Sequence, residues 1–167
     1  QTAASITLAP TSLAFTSIGD GATLTATVRD VGGTVISNPT VTWATSNASV
    51  ATVSTAGLVT AAGNGTATIT ATSGSVSATA TATVNQTAAS VTLSPTSLSF
   101  TSIGDTTTLA ATVTDAAGNT ISNPTVTWAT SNASVVTVST AGLVTAVADG
   151  TATITATYGS VSATATA

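Results

Sequence analysis

Apolar and polar residues alternate with a period of two along most of the chain. Leu24-Thr25-Ala26-Thr27-Val28 sets the pattern, Thr66-Ala67-Thr68-Ile69-Thr70-Ala71-Thr72 repeats it, and Val76-Ser77-Ala78-Thr79-Ala80-Thr81-Ala82-Thr83-Val84 extends it. Successive side chains of a strand point to opposite faces, so the apolar set is expected to face a core and the Thr set to face water. No window carries the 3.6-residue period of an amphipathic helix, and β-branched Thr loses χ1 freedom in one. Turn signals punctuate the runs: Gly19-Asp20-Gly21, Gly32-Gly33, Asn38-Pro39, Asn64-Gly65 and Ser73-Gly74. This predicts an all-β chain built as two-sheet antiparallel β-sandwiches. Trp43 and Trp128, in phase with inward-facing Val41 and Val126, are expected to plug the core with Phe15 and Phe100. The Ala-rich inner faces imply closely spaced sheets.

The chain repeats itself. Gln1-Thr2-Ala3-Ala4-Ser5 recurs as Gln86-Thr87-Ala88-Ala89-Ser90, and that 85-residue offset gives 82 gapless pairs of which 16 differ. Two copies of one unit are therefore expected, residues 1–85 and 86–167, each with about seven strands. The second copy ends at Ala167, short of any counterpart to Thr83-Val84-Asn85, so its last strand is expected to be truncated and the pair to belong to a longer array. The junction Asn85–Ala89 holds neither Gly nor Pro, which predicts units placed end to end with limited bending. A start at Gln1, with no signal peptide, reads as a mature or excised segment.

Composition narrows the chemistry. Of 167 residues, 43 are Thr, 33 Ala and 21 Ser, and only Arg29, Asp20, Asp30, Asp105, Asp115 and Asp149 are charged. His, Cys, Lys, Glu and Met are absent. Those residues supply most general acids, general bases and covalent nucleophiles, so an enzyme is not expected. Zinc lacks its imidazole and thiolate ligands, and a net charge of −4 leaves no cationic surface for nucleic acid. Mean hydropathy is positive, yet no apolar run approaches the roughly 20 residues of a spanning helix. Absent Cys, no disulfide points to a compartment.

Four ideas attach to particular side chains. Asp20 and Asp105 sit in equivalent turns, as do Asp30 and Asp115. They are weak candidates for calcium, which wants six to eight oxygens, because Asp also serves turns by bonding nearby backbone amides; no cofactor is the expectation. Asn47, Asn64, Asn85 and Asn132 open Asn-x-Ser/Thr triplets that glycans could use, although such triplets arise by chance in so Thr-rich a chain. The row Thr66, Thr68, Thr70, Thr72 resembles an ice-binding ladder, against which stands the twist of sandwich sheets. Lys–Asn isopeptide armouring is impossible without Lys.

Val41-Thr42-Trp43-Ala44-Thr45-Ser46-Asn47, Val50-Ala51-Thr52-Val53, Gly57-Leu58-Val59-Thr60 and Gly65-Thr66-Ala67-Thr68-Ile69-Thr70-Ala71 follow one another in order, and the second copy runs the same series from Val126 to Ala156. These blocks resemble the bacterial immunoglobulin-like domain family, group 2. The resemblance implies two tandem immunoglobulin-like sandwiches, an extracellular or cell-surface location, and no catalytic residues. It implies a structural repeat in a stalk, fibre or surface array, whose partners are neighbouring copies of the same domain or chain. The near absence of charge departs from the family and suggests protease resistance or self-association into filaments, since edge Lys normally blocks strand addition. The alternative is an adhesin or carbohydrate-binding module meeting glycans or a host surface. Tyr158, which stands where the first copy has Ser73, is then the candidate ligand contact.

Overall fold

A computed structural model describes all 167 residues. The chain folds into two compact units, Gln1–Thr87 and Ala88–Ala167. The first carries β1 (Ser5–Ala9), β2 (Ser12–Phe15), β3 (Gly21–Thr23), β4 (Thr25–Arg29), β5 (Thr42–Thr45), β6 (Ala51–Val53), β7 (Leu58–Ala61), β8 (Gly65–Ser73) and β9 (Val76–Val84). The second carries β10 (Ser90–Ser94), β11 (Thr106–Thr108), β12 (Ala110–Thr114), β13 (Thr127–Thr130), β14 (Val136–Val138), β15 (Leu143–Ala146), β16 (Thr153–Tyr158) and β17 (Val161–Thr166). Every element is a strand, as the alternation predicts.

In the first unit one layer is the sheet β2-β9-β8-β5. The other is made of β1-β4 and β3-β7-β6, joined because only Leu24 separates β3 from β4. One chain segment thus serves both layers: β1 pairs β4, and after Pro10 the chain crosses to pair β9 as β2. That crossing produces a departure from the antiparallel expectation. β2 runs parallel to β9, with Phe15 beside Val84, because it enters its new sheet without reversing direction. In the second unit, β13-β16-β17 and β11-β15-β14 repeat the arrangement with β10-β12. There the β2 counterpart is reduced to one bridge, Ser97 to Thr166.

Burial follows the alternation. Along β8 and β9, Ala67, Ile69, Ala71, Ala80, Ala82 and Val84 face the core, where they meet Leu24, Val28, Ala51 and Val59 from the opposite layer. Each buried Val, Leu or Ile contributes about 1.5–3 kcal/mol. Outward positions pair Thr with Thr across the hairpin: Thr66 with Thr83, Thr68 with Thr81, Thr70 with Thr79. β16–β17 repeats this with Thr153–Thr166 and Thr155–Thr164. Such cross-strand pairs add a few tenths of a kcal/mol each.

The aromatic core differs in part from expectation. Phe15 is buried, at 5% exposure, whereas Trp43, Trp128 and Phe100 are half-buried against the core clusters rather than enclosed by them. The Trp residues lie on β5 and β13, the edge strands of their sheets. Their cover is backbone: Gly57 and Gly142, at φ +79° and +77°, pass so close that an added Cβ would stand 2.8 and 2.9 Å from the indole Cζ2.

Candidate functional surfaces

Four of the five Asp residues are turn pieces. Asp20 Oδ2 accepts the N–H groups of Thr16 and Ser17 at 3.2 and 3.0 Å. Asp105 Oδ2 repeats this with Thr101 and Ser102 at 3.1 and 2.9 Å, and takes the Thr101 hydroxyl at 3.3 Å. Asp30 Oδ1 accepts Gly32 and Thr34 N–H at 3.0 and 2.9 Å, while its Oδ2 accepts Gln1 Nε2 at 3.1 Å. Asp115 Oδ1 accepts Ala117 and Asn119 N–H at 3.0 and 2.8 Å. Each carboxylate thus closes the loop that follows or precedes it, the ordinary work of Asp in turns. No three or more His, Cys, Asp or Glu side chains gather at one place.

Asn47 and Asn132 are exposed and cap their own turns through Ser49 N–H and Ser134 N–H, both at 3.0 Å. Asn64 forms a clasp: its Oδ1 accepts Gln86 N–H at 2.8 Å and its Nδ2 donates to Gln86 Oε1 at 3.1 Å. Asn85 is exposed at the end of its copy. Tyr158 closes the β16–β17 hairpin opposite Val161 and is half-buried against the second core. Its counterpart in the first copy, Ser73, is buried at the same hairpin end. Every buried side-chain nitrogen and oxygen has a hydrogen-bond partner.

What the fold gathers instead are surfaces without charge. All five Asp residues lie outside the strands, and Arg29 alone carries charge on one. The edge strands β5 and β6, with their counterparts β13 and β14, present Thr, Ala, Val and Trp. The second unit has a groove of about 420 Å³ along Leu98–Ile103, opposite Val135 and Asp149–Thr151. Sequence reasoning did not single out this groove. No helix is long and apolar enough to cross a membrane.

Three solved structures give a frame. The surface layer protein SbsC, domains 1–6, is 23% identical over 99% of this chain and 27% of its own, with a TM-score of 0.44. The Yersinia pseudotuberculosis adhesin InvE is 18% identical over 96% of this chain and 57% of its own, at a TM-score of 0.50. Human protocadherin-24 EC1-2 is 14% identical over 97% of this chain and 92% of its own, at 0.38. This chain thus spans about a quarter of the first and little more than half of the second. No curated protein matches it in sequence. The model of the bacterial Ig-like domain (group 2) matches residues 2–84 and again 87–167. With nearly every residue of both units inside a match, the chain belongs to the bacterial Ig-like domain (group 2) family, in two tandem copies.

Proposed function

We propose that this chain is a non-catalytic structural repeat of an extracellular stalk, fibre or surface array, and that its units associate through uncharged strand edges into filaments. The observation that carries the reading is the character of those edges: β5, β6, β13 and β14 hold no charged residue. Soluble sandwiches ordinarily guard such edges with Lys, Pro or bulges, because unpaired backbone groups there invite another strand. The family and a composition with one basic residue, Arg29, open to trypsin support a place outside the cell. The absence of His, Cys, Lys and Glu from the sequence supports a role without acid–base or covalent chemistry.

Electron microscopy of the isolated, untagged chain tests this. Ordered filaments with a regular axial repeat are expected; dispersed single particles at all concentrations would leave a passive spacer. A second reading, an adhesin or carbohydrate-binding module, draws on the likeness in fold to the adhesin InvE. It predicts glycan-array signals abolished by Tyr158→Ala, whereas the structural reading predicts a blank array. The proposal includes no cofactor, so the melting temperature should be the same in EDTA and in millimolar calcium.

A further inference from the structure

β5 and β13 end their sheets with the same residues: Val41-Thr42-Trp43-Ala44-Thr45 in the first copy and Val126-Thr127-Trp128-Ala129-Thr130 in the second. The ladder fixes which backbone groups face outward. Ser46 N–H donates to Thr68 O at 2.9 Å, and the register sets Thr42 against Thr72 and Ala44 against Thr70. Hydrogen-bonded and open positions alternate along an antiparallel strand, so Thr42, Ala44 and Ser46 direct their backbone groups at β8. Trp43 and Thr45 turn their N–H and C=O groups away from the sheet, as does Val41 just before the strand. The second copy keeps this phase, with Ser131 N–H on Thr153 O at 2.9 Å.

The neighbouring edge is poorer. β6 has only three residues, Ala51–Val53, and Thr52 pairs inward with Thr60. That leaves Ala51 and Val53 facing out, and the Ala51 amide is already held by Asn47 O at 3.1 Å. β14 repeats this, Val136 N–H meeting Asn132 O at 3.1 Å. Turns closed by the Asn47 and Ser54 side chains flank β6 at its two ends. No backbone hydrogen bond reaches Trp43 or Thr45 from outside their sheet.

From this we infer that β5 of one chain pairs antiparallel with β5, or the identical β13, of a second copy, about a two-fold axis at Trp43. The sequence suits that partner. Trp43 meets its own counterpart and exchanges both backbone bonds with it, and Thr45 does the same with Val41 at either end. Neither strand carries charge, so no like charges oppose each other, and a charged strand would find no complement. On the outer face Thr42 lies opposite Ala44. On the inner face the second Trp lies beside the first, a cross-strand aromatic pair that covers rings left half-buried in the single chain. Backbone pairing of this kind is ordinary strand addition. Each chain holds two such edges, one per unit, so it can engage two neighbours and growth can continue. The inference rests on the filament reading and narrows it to one edge and one register.

The test uses the full chain, which has no Cys of its own. In an Ala129→Lys background that blocks the second edge, chains with Thr42→Cys are mixed with chains with Ala44→Cys under mild air oxidation. Both positions are exposed. In the inferred register they form a non-hydrogen-bonded pair with Cα atoms about 4.5 Å apart, within the roughly 7 Å that a disulfide spans. Like positions lie on the diagonal at about 7–8 Å, so mixed dimers are expected about tenfold in excess of those from either chain alone. Equal yields would overturn the register. Electron microscopy gives the second arm. Filaments should vanish in the double variant Ala44→Lys, Ala129→Lys and persist in Thr52→Lys, Thr137→Lys, because Lys on an edge blocks strand addition. All four positions are exposed, and cooperative unfolding by Trp fluorescence verifies the fold. The reverse pattern would overturn the choice of edge. Filaments of the parent chain without mixed disulfides would overturn this pairing and leave the filament reading standing. Mixed disulfides without parent filaments would uphold the pairing and remove the filament reading.

Discussion

The segments 13–18 and 98–103 differ only at Ala14 and Ser99, yet one is a strand sealed into a core and the other lines an open groove. The same apolar pattern is satisfied to different extents because its cover comes from residues about 70 positions away, Thr83 and Val84. A second pair of regions differs as well. Asp30 and Asp115 form the same loop, but Asp115 is 2% exposed and Asp30 is half-exposed. Asn119 stands where the first copy has Thr34, and its side-chain Nδ2 lies 3.5 Å from Asp115 Oδ1. Identical residues in equivalent turns thus differ in burial between the two copies.

Each unit contains one Trp, so Trp128→Phe or Trp43→Phe leaves a single fluorescent reporter for denaturation of the other unit. The largest effect is expected from Phe15→Ala, about 4 kcal/mol by the usual cost of emptying a buried aromatic site, against roughly half that for Phe100→Ala. Equal losses would mean that the groove around Phe100 closes in solution. Next come Gly57→Ala and Gly142→Ala. The new Cβ would lie 2.6 Å from the Leu24 and Leu109 carbonyls, at a backbone φ that L side chains rarely adopt. A loss of roughly 3 kcal/mol is expected in both units alike, from strain and overpacking together. A difference above about 1 kcal/mol between these two would break the equivalence of the Trp sites, given the usual few-tenths error of such series.

Asp115→Ala should cost about 2 kcal/mol more than Asp30→Ala, because removing the carboxylate leaves buried amides without an acceptor in one case and wet amides in the other. Matching melting shifts would deny the burial difference. The smallest effect is set by the chain's own comparison. A Cβ on Gly63 would meet the Ser49 carbonyl at 2.7 Å, yet the second copy already carries Ala148 there, with the same 3.2 Å bond from its amide to Val135 O that Gly63 makes to Val50 O. Gly63→Ala is thus expected to stay within about 0.5 kcal/mol of the parent, like a tolerated surface change.

The strand content and the outward Thr rows were legible from residues 24–28, 66–72 and 76–84, because a period of two is a local property that survives any packing; the family was legible only through the resemblance of the ordered blocks 41–47, 50–53, 57–60 and 65–71. The turn role of Asp20 and Asp30 was legible for the same reason, since an Asp side chain bonds amides within four residues of itself. Trp43 was not: its phase places it inward, but only sheet order makes β5 an edge and leaves the ring half covered. Nor was Gly57, where an added Cβ would run into the Trp43 ring and the Leu24 carbonyl brought beside it by the fold. The parallel β2–β9 pair arises where the chain changes sheets, a choice that no residue in Ser12–Phe15 announces. Sequence by itself thus determined which side chains alternate, where turns fall and that the unit occurs twice. Tertiary structure alone decided which strands became edges and which aromatics were fully covered, because each depends on what lies across a sheet rather than along the chain.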